Sequence, residues 1–206
     1  AAICREVDKE NFSTEKDIEL IGRFFADLGI ILWYYDKEYL KDWVILQPQW
    51  AMNAVYKIID DGNVQECGII HKADFDRLWS EDDYARRKDL LRKMLQEFKI
   101  AFPKKSNAND YLLPIRLKSL PKQKQWTNID KTIRLQYDFD FMPRGIVNQL
   151  SAELSRYIVS DSEVWNNAVN LSYNGSEAQV EEDFFNRKIS IKANGKEARS
   201  LVVLVM

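Results

Sequence analysis

From Thr132 to Phe141 the chain alternates without a break: Ile133, Leu135, Tyr137, Phe139 and Phe141 interleave with Thr132, Arg134, Gln136, Asp138 and Asp140. A period of two commits this stretch to a β-strand with one apolar and one polar face, because successive side chains leave a pleated backbone on opposite sides. The apolar face is expected to be buried and the polar face wet. Such a strand needs a sheet, and the sequence that follows supplies one. Pro143-Arg-Gly145 turns the strand into a helix carrying Ile146, Leu150, Leu154, Tyr157 and Ile158. Val169, Leu171 and Tyr173 alternate again, Asn174-Gly175 is a hairpin turn, and Val180 and Ile189 to Ile191 offer further strands. The end, KEARSLVVLVM, is open to two readings: its β-branched residues suit a strand, while Leu201, Leu204 and Val205 behind Gly195 favour a helix.

Residues 1–118 follow a different period. Thr14 to Leu28 reads as a helix, with Ser13 or Thr14 as cap, Asp17 in the first turn, and Ile18, Ile21, Phe25 and Leu28 at helical spacing before Gly29. IILWYY follows as a strand-like run, and Val44 to Leu46 as a short strand leading into a helix opened by Pro48. On that helix Trp50, Ala54, Val55, Ile58 and Ile59 share a face. Gly68-Ile-Ile is extended again. A helix from Lys72 carries Phe75, Leu78 and Trp79, and RRKDLLRKMLQEFK turns Leu90, Leu91, Met94, Leu95 and Phe98 inward. Ile100 to Phe102 and Tyr111 to Leu113 complete a hairpin closed by Pro114. That order of elements is the order of a winged helix. The fold class expected is therefore α+β: a mostly helical, winged-helix-like part (1–118), a linker (119–131, SLPKQKQWTNIDK, stitched down by Trp126), and an α/β part with a small antiparallel sheet (132–206).

Composition narrows the chemistry. At 206 residues, with 46% hydrophobic and 30% charged, the chain has core enough to fold without disulfide or metal staples. Cys4 and Cys67 are isolated, no charged-then-apolar leader precedes them, and no run approaches the ~18 apolar residues of a membrane span; a reduced, cytoplasmic protein is expected. N-x-S triplets at Asn11, Asn170 and Asn174 would matter only in a secreted protein. The seven glycines form no phosphate-cradling loop, so no nucleotide cofactor is expected. His71 is the sole histidine and lies four residues from Cys67, too few ligands to close a tetrahedral metal site; a helix cap is the simpler role. Asp138 and Asp140 share a strand face roughly 7 Å apart, a spacing compatible with acid–base hydrolysis, but that face is the wet one. No catalytic residue is assigned. Charge is sorted unevenly under the net −2: residues 1–61 hold 7 basic and 12 acidic side chains, residues 99–131 hold 8 and 2. The basic stretch, with Lys104, Lys105, Lys118, Lys122 and Lys124, is either a solvated loop or an anionic docking patch. Winged helices often read DNA, which makes a nucleic-acid binder the alternative function. The candidate recognition helix, however, mixes six basic with five acidic residues over 81–99, a poor phosphate surface.

The motif series is more specific than any of its parts. LGIILWYYDKEYLKDWVILQPQW, then YLLP, then YDFDFMPRGIVNQL, and Trp165 before a Val-Asn-Leu strand resembles the COR domain of Roco proteins across nearly the whole chain. The sequence departs from that family at Gln47, where Asp usually precedes Pro-Gln-Trp, and at Asn167-Ala168, where Asn-Gly is common. The resemblance implies a regulatory module that follows a Ras-like Roc GTPase domain. Its first half would pack on that GTPase, its second half would form a homodimer, and nucleotide state would be coupled to dimer state. Carried over by position, Tyr137 in YDFDFMP is the leading partner-binding residue, followed by Trp50 and Trp33. A core tyrosine is the alternative for Tyr137, and packing at the strand-to-helix corner the alternative for Trp50.

Overall fold

The computed structural model describes residues 14–121 and 132–206, so expectations placed on Cys4, Asn11, Lys122, Lys124 and Trp126 lie outside it. The architecture is α+β, with the helices concentrated in the first part and the larger of two antiparallel sheets in the second.

Helix α1 (Glu15–Asp27) begins at Thr14, whose hydroxyl accepts from the Asp17 amide at 3.3 Å while the Asp17 carboxylate accepts from the Thr14 amide at 3.1 Å. The two strands expected next shrink to one reciprocal bridge between Leu32 and Ile45 (3.0 and 2.9 Å). Three apolar residues bounded by turns and by Pro48 are too few to extend a ladder, and among the described residues no further strand joins the ribbon to support it. Helix α2 (Pro48–Ile59) buries Ala51, Ala54, Val55 and Ile58; Trp50 and Ile59 stay at the margin of that core. Helices α3 (Gly62–Cys67), α4 (Lys72–Leu78), α5 (Asp82–Ala85) and α6 (Lys88–Glu97) surround it. Its centre is the Phe75–Trp79 pair, with the Trp79 indole N–H donating to the Ala54 carbonyl at 3.1 Å. Three two-residue strands, β1 (Ile69–Ile70), β2 (Phe102–Pro103) and β3 (Tyr111–Leu112), form a sheet in the order β1-β3-β2. Gly68, at φ +67°, is required where the chain leaves α3: a Cβ there would lie 2.8 Å from the Leu117 amide nitrogen.

The second part contains β4 (Ile133–Asp138), α7 (Ile146–Glu153), β5 (Ala168–Tyr173), β6 (Ser176–Asp183), β7 (Lys188–Asn194) and α8 (Ala198–Val205). The helical reading of the C-terminus holds. The helix expected through Ile158 instead stops at Glu153 and tightens to a 3₁₀ turn over Ser155–Tyr157. Sheet order is β4-β7-β6-β5, antiparallel throughout, with Asn174-Gly175 in left-handed conformations (φ +48° and +73°) at the β5–β6 turn. Register aligns Leu135, Ile191, Val180 and Val169 in one row across the sheet. This apolar face packs in one core with Val147 of α7 and Leu201 and Val202 of α8. The opposite face carries Arg134, Gln136, Ser190, Lys192 and Glu181. Asn170 lies within β5 with its amide donating to Glu163 and accepting from Gln179, which occupies the nitrogen a glycan would need.

The expected burial of the β4 apolar face is corrected. Leu135 and Phe139 are half-buried, but Ile133 is 40% exposed, Tyr137 37% and Phe141 82%. The reason is position: β4 is the edge strand, and the helices that cover the sheet's apolar face reach it only in part.

One apolar seam joins the two parts. Phe102 and Leu112, on the small sheet, belong to the core of the second part, with Ile69 and Leu117 packed beside them. A carboxylate clamps the β2–β3 loop across the same seam. Asp161 accepts from the Lys105 amide (2.7 Å), the Ser106 amide (3.0 Å) and the Ser106 hydroxyl (2.5 Å). Lys99 pairs with Glu153, and the Leu120 amide donates to the Asn167 side chain at 2.8 Å. Asn167, at one of the family departures, thus pins the last residues before the second part, and its carbonyl also accepts from the Glu182 amide at 2.7 Å.

Candidate protein-docking surfaces

Tyr137 stands on the apolar face of β4, opposite Ile189 in the register and in the same row as Glu182. Glu182 is buried, yet its carboxylate is satisfied: it accepts from the Val147 amide at 3.0 Å, at the start of α7, where the helix dipole favours a negative charge. Tyr137 is 37% exposed, and no further strand follows β4 on its outer side among the described residues. Tyr137 is thus not a core residue but an exposed aromatic on the apolar side of an edge strand. Phe141 and Phe185, the latter 93% exposed, extend this apolar edge at the end of the sheet, braced by the Arg187 guanidinium donating to the Asp140 carbonyl at 2.8 Å. Sequence reasoning treated Phe141 as one more inward residue and did not single out Phe185. Nothing in the alternation marks where a sheet ends.

Trp50 occupies a second surface. Its ring stacks on Tyr84 at 5.4 Å with an interplanar angle of 29°, and the Arg87 guanidinium lies 5.8 Å from its centroid. Around it Trp43, Val44, Ile45, Leu46, Gln47, Asp83, Arg87 and Leu90 line an open cleft of about 340 Å³. The packing role and an accessible ring are thus both satisfied. Trp33 is committed differently. Its indole N–H donates to the Lys41 carbonyl at 2.6 Å, and its ring lies so close under α1 that a Cβ on Gly22 would come within 2.8 Å of it. Trp33 supports α1 from beneath. Helix α1 itself buries none of its residues; Leu20, Phe24 and Leu28, spaced at i, i+4 and i+8, face outward together. The three partner-binding candidates therefore do not converge on one spot: Trp33 and Trp50 belong to the first part, Tyr137 to the edge of the second.

The residues considered for chemistry have structural employment. Asp138 is exposed, and a hydrogen bond from Gln136, with Lys188 adding its charge at 3.3 Å, holds its carboxyl below the usual carboxylate range, the wrong direction for a general acid. His71 caps α4, its amide donating to Asp74 at 2.9 Å and its ring Nδ1 lying 3.2 Å from Asp110. Cys67 is a free, exposed thiol, and no group of three metal-ligating side chains occurs among the described residues. Within the described part of the basic stretch, Lys105 gives its ammonium to the Ile158 carbonyl and Lys99 pairs with Glu153. Nothing here favours the nucleic-acid alternative. No helix among the described residues is long and apolar enough to cross a membrane.

Fold and surfaces together define a module of two joined parts with uncovered apolar faces and, among the described residues, no assembled reaction centre. Two family models then place it: "C-terminal of Roc, COR-A domain" matches residues 2–117 and "C-terminal of Roc, COR-B domain" residues 130–206, so the chain belongs to the COR family of Roco proteins. Among curated relatives, a Roc-COR-CHAT protease from an unknown prokaryotic organism is 29% identical over 85% of this chain, and a Roc-COR-CHAT protease from Runella zeae is 23% identical over 94%. A probable serine/threonine-protein kinase, roco11, of Dictyostelium discoideum is 29% identical over 66%. The chain spans only 17%, 22% and 10% of the lengths of these three relatives. COR is the non-catalytic module of such proteins, and the Roc and kinase domains lie outside the matched region.

Proposed function

We propose that this chain is the regulatory and dimerisation module of a Roco-type GTPase, acting in the cytoplasm. It docks on an adjacent Roc domain and self-associates through residues 132–206, so that nucleotide state and dimer state bias one another. The observation that carries this reading is the seam. Phe102 and Leu112 sit in the second part's core, so the small sheet and the second sheet share packed side chains through which a displacement imposed on one would reach the other. The first part, which we read as a winged helix put to protein docking, offers α1's outward stripe and the Trp50 cleft to the GTPase. Trp33 contributes indirectly, by holding α1 in place. Tyr137, exposed on the edge strand of the second sheet, is the second part's contact with the same GTPase.

Coupling of this kind requires only about 1–3 kcal/mol, that is, roughly 5- to 150-fold between nucleotide states. Titrating the parent protein's Roc domain, loaded with GDP or with a non-hydrolysable GTP analogue, into this chain by calorimetry tests it. Affinities differing at least about fivefold between the two states are expected. Tyr137→Ala and Trp50→Ala are expected to weaken the tighter complex about tenfold each while leaving the circular dichroism spectrum unchanged. Equal affinity in both states, or no complex at all, overturns the reading.

A further inference from the structure

We infer that two copies of this chain pair through the outer edge of β4, antiparallel about a two-fold axis at Gln136, joining two four-stranded sheets into one of eight. This rests on the homodimer reading above and gives it a site and a register.

The edge is open and its polarity is fixed. The Phe139 amide donates to the Arg187 carbonyl at 2.9 Å, so the odd-numbered residues of β4 turn their main-chain groups toward β7. In an antiparallel strand the even-numbered residues then turn theirs the other way. Arg134, Gln136 and Asp138 therefore present N–H and C=O groups outward, where no other strand pairs with them among the described residues. The strand carries no proline or bulge, the usual devices that block edge-to-edge addition.

Charge selects the register. Arg134 lies opposite Lys192 across the β4–β7 pair, like against like, and it makes no ion pair with any described residue. Asp138 lies opposite Lys188 at the other end of the strand. Centring the two-fold on Gln136 sets Arg134 of each copy against Asp138 of the other, so each arginine gains the carboxylate its own sheet denies it. The pairs Arg134–Asp138, Gln136–Gln136 and Asp138–Arg134 all use outward-facing main-chain groups, as a hydrogen-bonded antiparallel ladder requires. Shifting the centre to Leu135 loses both ion pairs, and shifting it to Tyr137 would set Arg134 against Asp140, beyond the end of β4, and Asp138 against Gln136. On the apolar face the same register stacks Leu135 on Tyr137 and Ile133 on Phe139 across the axis, covering the exposed Ile133 and Tyr137 with the half-buried Phe139 and Leu135 of the other copy. Tyr137 then sits beside the axis, where a GTPase touching its ring would also touch the dimer joint.

Sedimentation equilibrium of the full 206-residue chain tests the inference. Gln136→Pro removes one outward N–H and none of the bonds to β7, so it is expected to leave a folded monomer. Arg134→Glu sets like charges against each other twice and is expected to raise the dimer dissociation constant at least about tenfold. Combining it with Asp138→Arg restores opposite charges across the axis and is expected to restore dimerisation, which a merely structural role for Arg134 would not do. If the wild type is dimeric and both single variants remain as dimeric as it is, the edge is wrong and another surface of the second part serves. If the wild type stays monomeric to high micromolar concentration, this inference and the homodimer reading fall together.

Discussion

Helices α1 and α6 are written in the same period and meet opposite fates. Both are amphipathic, but α6 buries Leu90, Leu91, Met94 and Leu95, whereas α1 buries nothing and shows Leu20, Phe24 and Leu28 to solvent. The strands repeat the contrast: β7 alternates and buries Ile189, Ile191 and Ala193, while β4 alternates more cleanly and leaves Ile133, Tyr137 and Phe141 open. Periodicity states which face of an element is sticky, not whether this chain covers it. Helix α6 and strand β7 are covered from within; α1 and much of β4 are left open by the described residues.

The largest effect expected of this contrast is thermodynamic. Leu95→Ala, at a fully buried site on α6, should cost about 3 kcal/mol in urea-induced unfolding, from lost transfer free energy plus a cavity that its neighbours cannot close. A loss under about 1 kcal/mol would mean that α6 is no better covered than α1, and the comparison would break.

The seam is expected to rank next. Burial alone would raise the Asp161 carboxyl, but the Ser106 hydroxyl and the Ser106 and Lys105 amides outweigh it and hold the group below the usual carboxylate range. A depressed folded-state pKa contributes stability that is present above the unfolded value of about 4 and is lost as pH falls through the lower folded value. Asp161→Asn should therefore cost about 1–2 kcal/mol at pH 7 and flatten stability against pH below about 4, where the wild type declines. The same variant measured by hydrogen exchange sharpens the comparison: protection should fall first in residues 104–110 and in β2 and β3, and not at α6. A parallel loss of stability below pH 4 in wild type and variant would remove Asp161 from the seam's account.

A third, smaller effect concerns the way α1 is seated. Gly22→Leu drives a side chain into the Trp33 ring, and α1 has no buried residue to resist displacement. The expectation is a loss of about 1 kcal/mol or less, with Trp33 fluorescence shifting to the red as its ring meets water. An unshifted spectrum would show that α1 tolerates the side chain where it stands.

Much of the fold was legible because its signals are local. Thr14 and Asp17 cap one helix, Pro48 opens another, and Asn174-Gly175 turns a hairpin. Each states its geometry within four residues. The over-read strand at Val44 to Leu46 failed because three β-branched or apolar residues cannot by themselves say whether a second strand lies alongside for more than one bridge. The site was legible in part. Tyr137 was singled out by motif alone, and its exposure follows from β4 being an edge, which is a property of the whole sheet. Asp161 and Arg134 were invisible for the same reason. One acts on a loop 55 residues away and the other matters because Lys192 faces it across the ladder, and neither relation leaves a local pattern.

The smallest stability effect is also the most discriminating. Leu20→Ser on α1 places a hydroxyl where 71% of the residue already meets water, so unfolding free energy should change by no more than about 0.5 kcal/mol. If α1's stripe is covered only by a partner, the same substitution should nonetheless weaken binding of the Roc domain severalfold, because the apolar area lost from the complex was never part of the chain's own core. Stability and docking would then separate at one residue. At Leu95 they cannot separate, since a cavity there loosens the body that carries every surface. Should Leu20→Ser destabilise the chain by as much as Leu95→Ala, α1 would already be covered within it, and the GTPase would have to be sought at the Trp50 cleft and the β4 edge alone.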